Sequence, residues 1–340
     1  MNRNKAIRSE LDQLLREGLL DDATYRRLSA LYPVGLWDWR SLGRWFLIFG
    51  AISCAAGGVI LLRDVFTFTL EKLAWGLALS TGGLFAGGWK LRQRSWSWSG
   101  QAVELLGGLT LIGLSFTLGI IFSSGSGNWP ALLLIDLIAL LALSYARHNI
   151  LLLILSAVVF FTWFGGVTGY RSGWGAYWFG MNYPLRFLGA GLFIAMVGVA
   201  HLNAEQGPLA AWRGFSKAWI SSGLFFSEMA LWLLSIFGNF ASIYGWHDAS
   251  AAELLLFNAV WAGANGGLIV AGSRFSYRML RGYGGTFLII QIYTLFFTRI
   301  AEHIGFFASL FIAGGSALAL VFVLESKRRE ARRERGGVQE

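Results

Sequence analysis

Along the chain, apolar runs of about twenty residues alternate with short polar breaks, and the breaks carry most of the charge. A helix of that length matches the ~30 Å hydrocarbon core of a bilayer at a rise of ~1.5 Å per residue. Ten such segments are predicted, at about 44–62, 72–90, 101–122, 129–146, 149–167, 184–202, 217–237, 253–272, 280–298 and 304–324. The four prolines, at 33, 130, 184 and 208, fall at segment starts or in breaks, so none interrupts a predicted helix. Residues 1–42 follow a different pattern. Ile7, Leu11, Leu14 and Leu15 share one helical face, with Arg8, Asp12 and Arg16 on the other. Gly18 ends that helix, Asp21 or Asp22 can cap a second one carrying Tyr25, Leu28 and Leu31, and Pro33 closes it. This hairpin reads either as a small docking module or as an amphipathic cap on the membrane surface. The expected fold is all-α: a polytopic membrane bundle of ten helices over 43–325, preceded by the hairpin and followed by a tail, 326–340.

Composition supports lipid as the solvent. The 340 residues are 55% hydrophobic and 14% charged, with mean hydropathy +0.55, whereas soluble domains carry roughly a quarter charged residues. The net charge of +9 would suit nucleic acid, but its placement argues otherwise and no nucleic-acid partner is expected. With the N-terminus inside, 23 of the 28 Lys and Arg fall on the cytoplasmic side; Arg63, Lys72, Arg171, Arg186 and Arg299 do not. That bias predicts a bacterial inner-membrane protein with both termini cytoplasmic. The tail, Lys327 to Arg335, is polybasic and is expected to meet anionic lipid. The single cysteine, Cys54, excludes an internal disulfide. The opening MNRNKAIRSELDQLLREG has no apolar core and does not read as a cleaved signal peptide, so the first apolar run would serve as an uncleaved anchor.

Polar side chains within apolar segments are costly and therefore candidates for function. Glu228, Asn265 and Gln291 each lie eleven or twelve residues into a segment, ~15–18 Å deep, on three consecutive helices. They form a candidate intramembrane polar cluster, either a proton-handling site or interhelical hydrogen-bond glue. Asp136, ~10 Å from the outer face, is a candidate ion-pair partner of Arg186. Glu104, one turn into its helix, is expected to snorkel towards Arg92 and Arg94. Residues 165–183 form an outer aromatic loop with Tyr170, Arg171, Trp174, Tyr177, Trp178 and Tyr183, read as an interfacial segment or as a lid. Glycine doublets and the spacings Gly83/Gly87 and Gly263/Gly267 predict close helix packing. There is no HExxH, GxSxG, P-loop or GxGxxG pattern, and the four histidines lie at membrane boundaries on both sides. No catalytic, cofactor-binding or metal site follows, and no cofactor is expected.

Three stretches resemble a bacterial family of membrane proteins called domain of unknown function 2157: the hairpin LDQLLREGLLDDATYRRLSALYP, residues 107–164 from GGLTLIGLSF to VVFFTWF, and the closing QIYTLFFTRIAEHIGFFASLFIAGGSALALVFVLESKRRE. Members often carry a Gln-Ile-Tyr-like element where this chain has Gly119-Ile120-Ile121-Phe122. The resemblance implies no activity, but it does imply a multi-spanning membrane partner. The sequence therefore points to a non-enzymatic membrane bundle that binds another membrane protein or lipid, in an oligomeric state the residues do not specify. The alternative is a proton-coupled transporter of a small solute using Glu228, with an apparent five-plus-five arrangement and an echo between Ala102–Leu106 and Ala251–Leu255. A third, weaker reading is an intramembrane enzyme acting on a lipid-linked substrate under the aromatic loop.

Overall fold

The computed structural model describes residues 7, 10–12, 14, 15, 17–31, 50, 53, 69–122, 129–169, 183–241, 245, 248–305, 307–316, 318, 319, 322 and 326. Among these the chain is helical, without strands, and it divides into two compact units, 1–124 and 125–340.

In the first unit, α1 (Asp22–Leu31) begins where Asp21 Oδ2 accepts the Thr24 N–H at 3.1 Å. The Tyr25 hydroxyl donates to Asp12 Oδ1 at 2.5 Å, tying α1 to the helical residues before Gly18. Helices α2 (Leu70–Gln93) and α3 (Ser97–Ile121) form a hairpin. Their backbones close at Gly88 and Gly100: a Cβ on Gly88 would lie 2.6 Å from Glu104 Cγ and 2.8 Å from the Gly100 carbonyl. That approach encloses Glu104 completely, and Arg92 Nη1 meets its Oε2 at 3.3 Å. The expected approach to Arg92 is met, but the carboxylate does not reach outwards: it is sealed between two helices that lack a Cβ where they touch.

The second unit is arranged around one helix. It contains α4 (Trp129–Ala146), α5 (Ile150–Gly169), α6 (Pro184–Ala204), α7 (Phe215–Phe237), α8 (Ala251–Arg274) and α9 (Arg278–Leu295). A π-helical turn, Phe296–Ile300, and a short helical turn, Ala301–Ile304, extend α9 before α10 (Phe307–Ser316). Helix α7 packs against α5, α6, α8 and α9. Buried residues occupy the greater part of its circumference, Phe226, Ala230, Leu231, Leu233 and Leu234 among them, while Phe225 stays exposed. Phe226 stacks on Phe161 of α5 with centroids 3.7 Å apart. Gly191 and Gly198 of α6, seven residues apart, and Gly223 of α7 make the α6–α7 seam, where a Cβ on Gly198 would lie 2.6 Å from the Ile220 nitrogen.

Among the described residues one chain reversal occurs four times. The N–H of its sixth residue bonds the carbonyl of its first, and that of its fifth bonds the carbonyl of its second. The outer bonds are Leu19 to Leu14 (3.0 Å), Trp96 to Leu91 (3.0 Å), Asn149 to Ser144 (2.9 Å) and Tyr277 to Gly272 (2.9 Å). The fifth residue is left-handed each time: Gly18 (φ 68°), Ser95 (68°), His148 (48°) and Ser276 (54°). The last three turns close α2–α3, α4–α5 and α8–α9.

Among the described residues, six helices are long and apolar enough to cross a membrane: Ser97–Ile121, Trp129–Ala146, Ile150–Val167, Pro184–Ala204, Phe215–Phe237 and Ala251–Arg274. They coincide with six of the ten expected segments and are compatible with a multi-pass integral membrane protein. Helices α2 and α9, expected as spans at 72–90 and 280–298, form but are less apolar, because glycine, serine, threonine and terminal basic residues dilute them. Of the expected last span, 304–324, the ten-residue α10 is the described helix. The expected first span, 44–62, falls outside the described residues apart from Gly50 and Ser53, and the polybasic stretch Lys327 to Arg335 falls wholly outside them.

Candidate functional site

A polar seam joins α7, α8 and α9. Helix α7 ends at Gly238 (φ 67°), and Ser250 caps α8 by accepting the Glu253 N–H at 3.2 Å. Glu253 Oε1 in turn accepts the Asn239 N–H at 2.9 Å, which pins the connection and turns one face of α8 towards α7. That face carries Asn258, Trp261 and Asn265, spaced three and four residues apart over ~10 Å of helix. Trp261 is fully buried and donates its indole N–H to Glu228 Oε2 at 2.6 Å. Asn258 Nδ2 donates to the Ser235 carbonyl of α7 at 2.9 Å, and the Asn258 carbonyl accepts Gln291 Nε2 of α9 at 2.7 Å. Further bonds join α7 and α9: the Tyr283 hydroxyl donates to the Ser221 carbonyl at 2.9 Å and lies 2.7 Å from Ser221 Oγ, and Trp232 Nε1 donates to Thr294 Oγ1 at 2.9 Å.

The three expected polar residues are therefore all buried in one seam but are not bonded to one another. Glu228 is 2% exposed, with Trp261 as its donor; Gln291 reaches Asn258. Asn265 is fully buried, and neither end of its amide has a hydrogen-bond partner. Its carbonyl backs onto Gly284, where an added Cβ would lie 2.5 Å away. A buried amide without partners is costly; Asn258 Oδ1 and Gln291 Oε1 also lack a partner among the described residues, but Asn265 is the seam amide with both ends unspent. Trp261 and Asn258 were not expected, although both fall on the helical face that Asn265 defines.

Asp136 is buried on α4. Arg186 lies in the first turn of α6 with its guanidinium carbon 5.0 Å from the Tyr183 ring centroid. Of the aromatic loop, Tyr183 is described, and its N–H donates to the Phe240 carbonyl at 2.6 Å; Tyr170, Arg171, Trp174, Tyr177 and Trp178 lie outside the described residues. The glycine expectation is corrected in part. Gly88, Gly107 and Gly284 are in close contact, but Gly83, Gly87, Gly263 and Gly267 have open space where a Cβ would stand. Among the described residues the GxxxG pairs thus meet no neighbouring helix within either unit, while other glycines make the helix contacts.

At the other end of α7, sequence reading missed a second polar constellation. Glu205, just past α6, accepts the N–H groups of Ser216 (2.8 Å) and Gly214 (3.1 Å) and meets His201 Nδ1 at 3.0 Å. It caps α7 from across the connection, where backbone N–H groups lack helical partners. Burial pushes the Glu205 carboxyl up, but the Ser216 and Gly214 N–H groups and His201 outweigh it and hold it below the usual carboxylate range. Tyr145 surrounds the site: its ring lies 6.0 Å from that of His201, and its hydroxyl accepts Trp219 Nε1 at 3.0 Å. Nothing in AHLNAEQGP distinguishes this glutamate from a solvated loop residue. Among the described residues, no group of three or more His, Cys, Asp or Glu could hold a metal.

In comparisons with known proteins, the chain matches no family model, no curated protein and no solved structure.

Proposed function

We propose that this chain is a non-enzymatic, multi-pass protein of a bacterial inner membrane, with both termini cytoplasmic, that works by side-to-side assembly with another membrane helix. One observation carries the reading. Leu256, Val260, Gly263, Gly267 and Val270 form a continuous exposed stripe on α8, and the space above both glycines is open. Where lipid solvates every apolar surface equally, small residues favour association by letting backbones approach. Gly76, Leu79 and Gly83 make a similar exposed run on α2. The sealed carboxyl of Glu228 accords better with interhelical glue than with a solute path. The resemblance to domain of unknown function 2157 suggests a multi-spanning protein as the partner, and pairing of Asp136 with Arg186 would brace the same unit.

The test is photo-crosslinking in native membranes from a probe at Val260, with Gly263 and Gly267 intact or both changed to leucine. Crosslinked species lost in the leucine variant, with folding unchanged, agree with the proposal. Equal crosslinking in both overturns it. The transporter alternative rests on the unspent amide of Asn265 beside the Glu228 helix. It is tested by a thiol placed at position 228 in a Cys54→Ala background: labelling by a membrane-impermeant reagent from either side would establish an aqueous path.

A further inference from the structure

The described cations of the second unit are segregated. The α4–α5 turn, the α6–α7 connection and the α8–α9 turn lie side by side: His148 stacks on Trp212 with centroids 5.4 Å apart, and Trp212 Nε1 donates to the Tyr145 carbonyl at 2.9 Å. On the far side, the Tyr283 hydroxyl, in the second turn of α9, donates to the Ser221 carbonyl, in the second turn of α7, at 2.9 Å, which brings the α8–α9 turn to the same end of α7. Arg147, Arg213, Lys217, Arg274, Arg278 and Arg281 all belong to this end, and the last five are exposed. Those five have neither an ion pair nor a hydrogen bond among the described residues. The described carboxylate at this end, Glu205, is 8% exposed and spent on the α7 N-terminus and His201. At the opposite end lie Arg186 and Arg299, with Asp248 and Glu253.

We propose that this end of the second unit is a binding surface for anionic phospholipid headgroups, with Arg213 and Lys217 on one side and Arg274, Arg278 and Arg281 on the other. Five unpaired cations on two adjoining connections present a positive field that no carboxylate among the described residues of this end neutralises, and phosphodiester headgroups are its complement. The apolar part of the surface selects a lipid over a free anion. Phe275, at the tip of the α8–α9 turn, is 72% exposed between Arg274 and Arg278. A bare ring beside guanidinium groups suits the boundary between headgroups and acyl chains and gains nothing from an aqueous phosphate. Trp212, Tyr145 and Tyr277 ring the same level, where amphipathic aromatics settle.

The inference rests on the membrane reading but not on the lateral partner; retention in carbonate-washed membranes checks the former independently. The test is binding of phosphatidylglycerol and phosphatidylcholine to the full chain in neutral detergent, followed by native mass spectrometry. Phosphatidylglycerol is expected to bind more tightly. Each cation removed should weaken it about fivefold, so Arg213→Gln with Lys217→Gln, and Arg274→Gln with Arg278→Gln, should each cost roughly 25-fold while phosphatidylcholine binding stays level. These side chains are exposed and unpaired, so the variants should fold, and Arg→Lys at 213, 274 and 278 should restore binding. Equal affinity for the two lipids, or glutamine variants that bind phosphatidylglycerol like the wild type, overturns the proposal. So does inorganic phosphate displacing phosphatidylglycerol at equal concentration, which would make this a free-anion site.

Discussion

Replacing Glu205 by alanine isolates what one side chain contributes to the seating of the central helix. The change leaves the Gly214 and Ser216 N–H groups and His201 Nδ1 without their acceptor in a site that is 8% exposed at Glu205. An orphaned buried donor costs about 1–3 kcal/mol, while loss of an ordinary helix cap costs about 0.5–2 kcal/mol. Two backbone donors and one ring donor together give a loss on the order of 3 kcal/mol, roughly a hundredfold in the unfolding equilibrium. Glu205→Gln keeps an acceptor oxygen and loses the charge, so about 1 kcal/mol is expected. The assay is unfolding in mixed micelles titrated with dodecyl sulfate, read by tryptophan fluorescence. The pH dependence supplies a second check. The Glu205 carboxyl is held below its ordinary value when folded, so its contribution is complete above the unfolded carboxylate pKa and is lost as pH falls through the folded one. The wild type should therefore lose its advantage over Glu205→Gln only in acid. A midpoint for Glu205→Ala equal to the wild type at neutral pH, or a wild-type advantage over Glu205→Gln undiminished in acid, would refute the capping role.

The remaining predictions use the same unfolding assay. Trp261→Phe keeps the ring but removes the indole N–H 2.6 Å from Glu228, and should destabilise the second unit by about 1–3 kcal/mol. Gly198→Ala drives a Cβ into the Ile220 backbone and should cost about 1–3 kcal/mol, whereas Gly267→Ala meets open space and should cost less than ~0.5 kcal/mol; equal losses would contradict the packing described. Ser95→Gly and Ser276→Gly relieve left-handed strain and should each stabilise by about 0.5–1 kcal/mol, as Gly18 already does in the equivalent turn. Loss of stability in both would show that the serine side chains, not the backbone, hold those turns.

The spans legible in the sequence are those whose apolarity is unbroken: Trp129–Ala146 forms over the residues expected. Helices α2 and α9 show why, among the described residues, fewer than ten helices have the length and apolarity of a span. They keep helical geometry while glycine and hydroxyl residues lower their apolar content, so helical length and period are met where apolarity is weaker. The seam was legible at the level of helices, since Glu228, Asn265 and Gln291 all turn inward. Its bonding was not. Pairing Glu228 with Trp261 depends on the rotation of α8, which the bonds at Ser250, Glu253 and Asn239 help to set. Glycine doublets misled for a related reason. Neighbouring residues on a helix point about 100° apart, so Gly87 faces open space while Gly88 touches Glu104. Glu205 was invisible because its partners lie across a connection whose course only the fold defines.

The recurring six-residue reversal also bears on how such a chain could be made. The turns after α2, α4 and α8 are closed by bonds between residues at most five apart, so none of them waits for a distant part of the chain. Local closure of this kind is rapid compared with long-range docking. Two helices emerging from a ribosome could therefore pair before the next has been synthesised, with their arginines left at the bend and never carried across the bilayer. In such a scheme the unit of delivery is the pair. Helix α7, whose cap at Glu205 and seam with α8 and α9 draw on chain made before and after it, would be the part on which finished pairs converge.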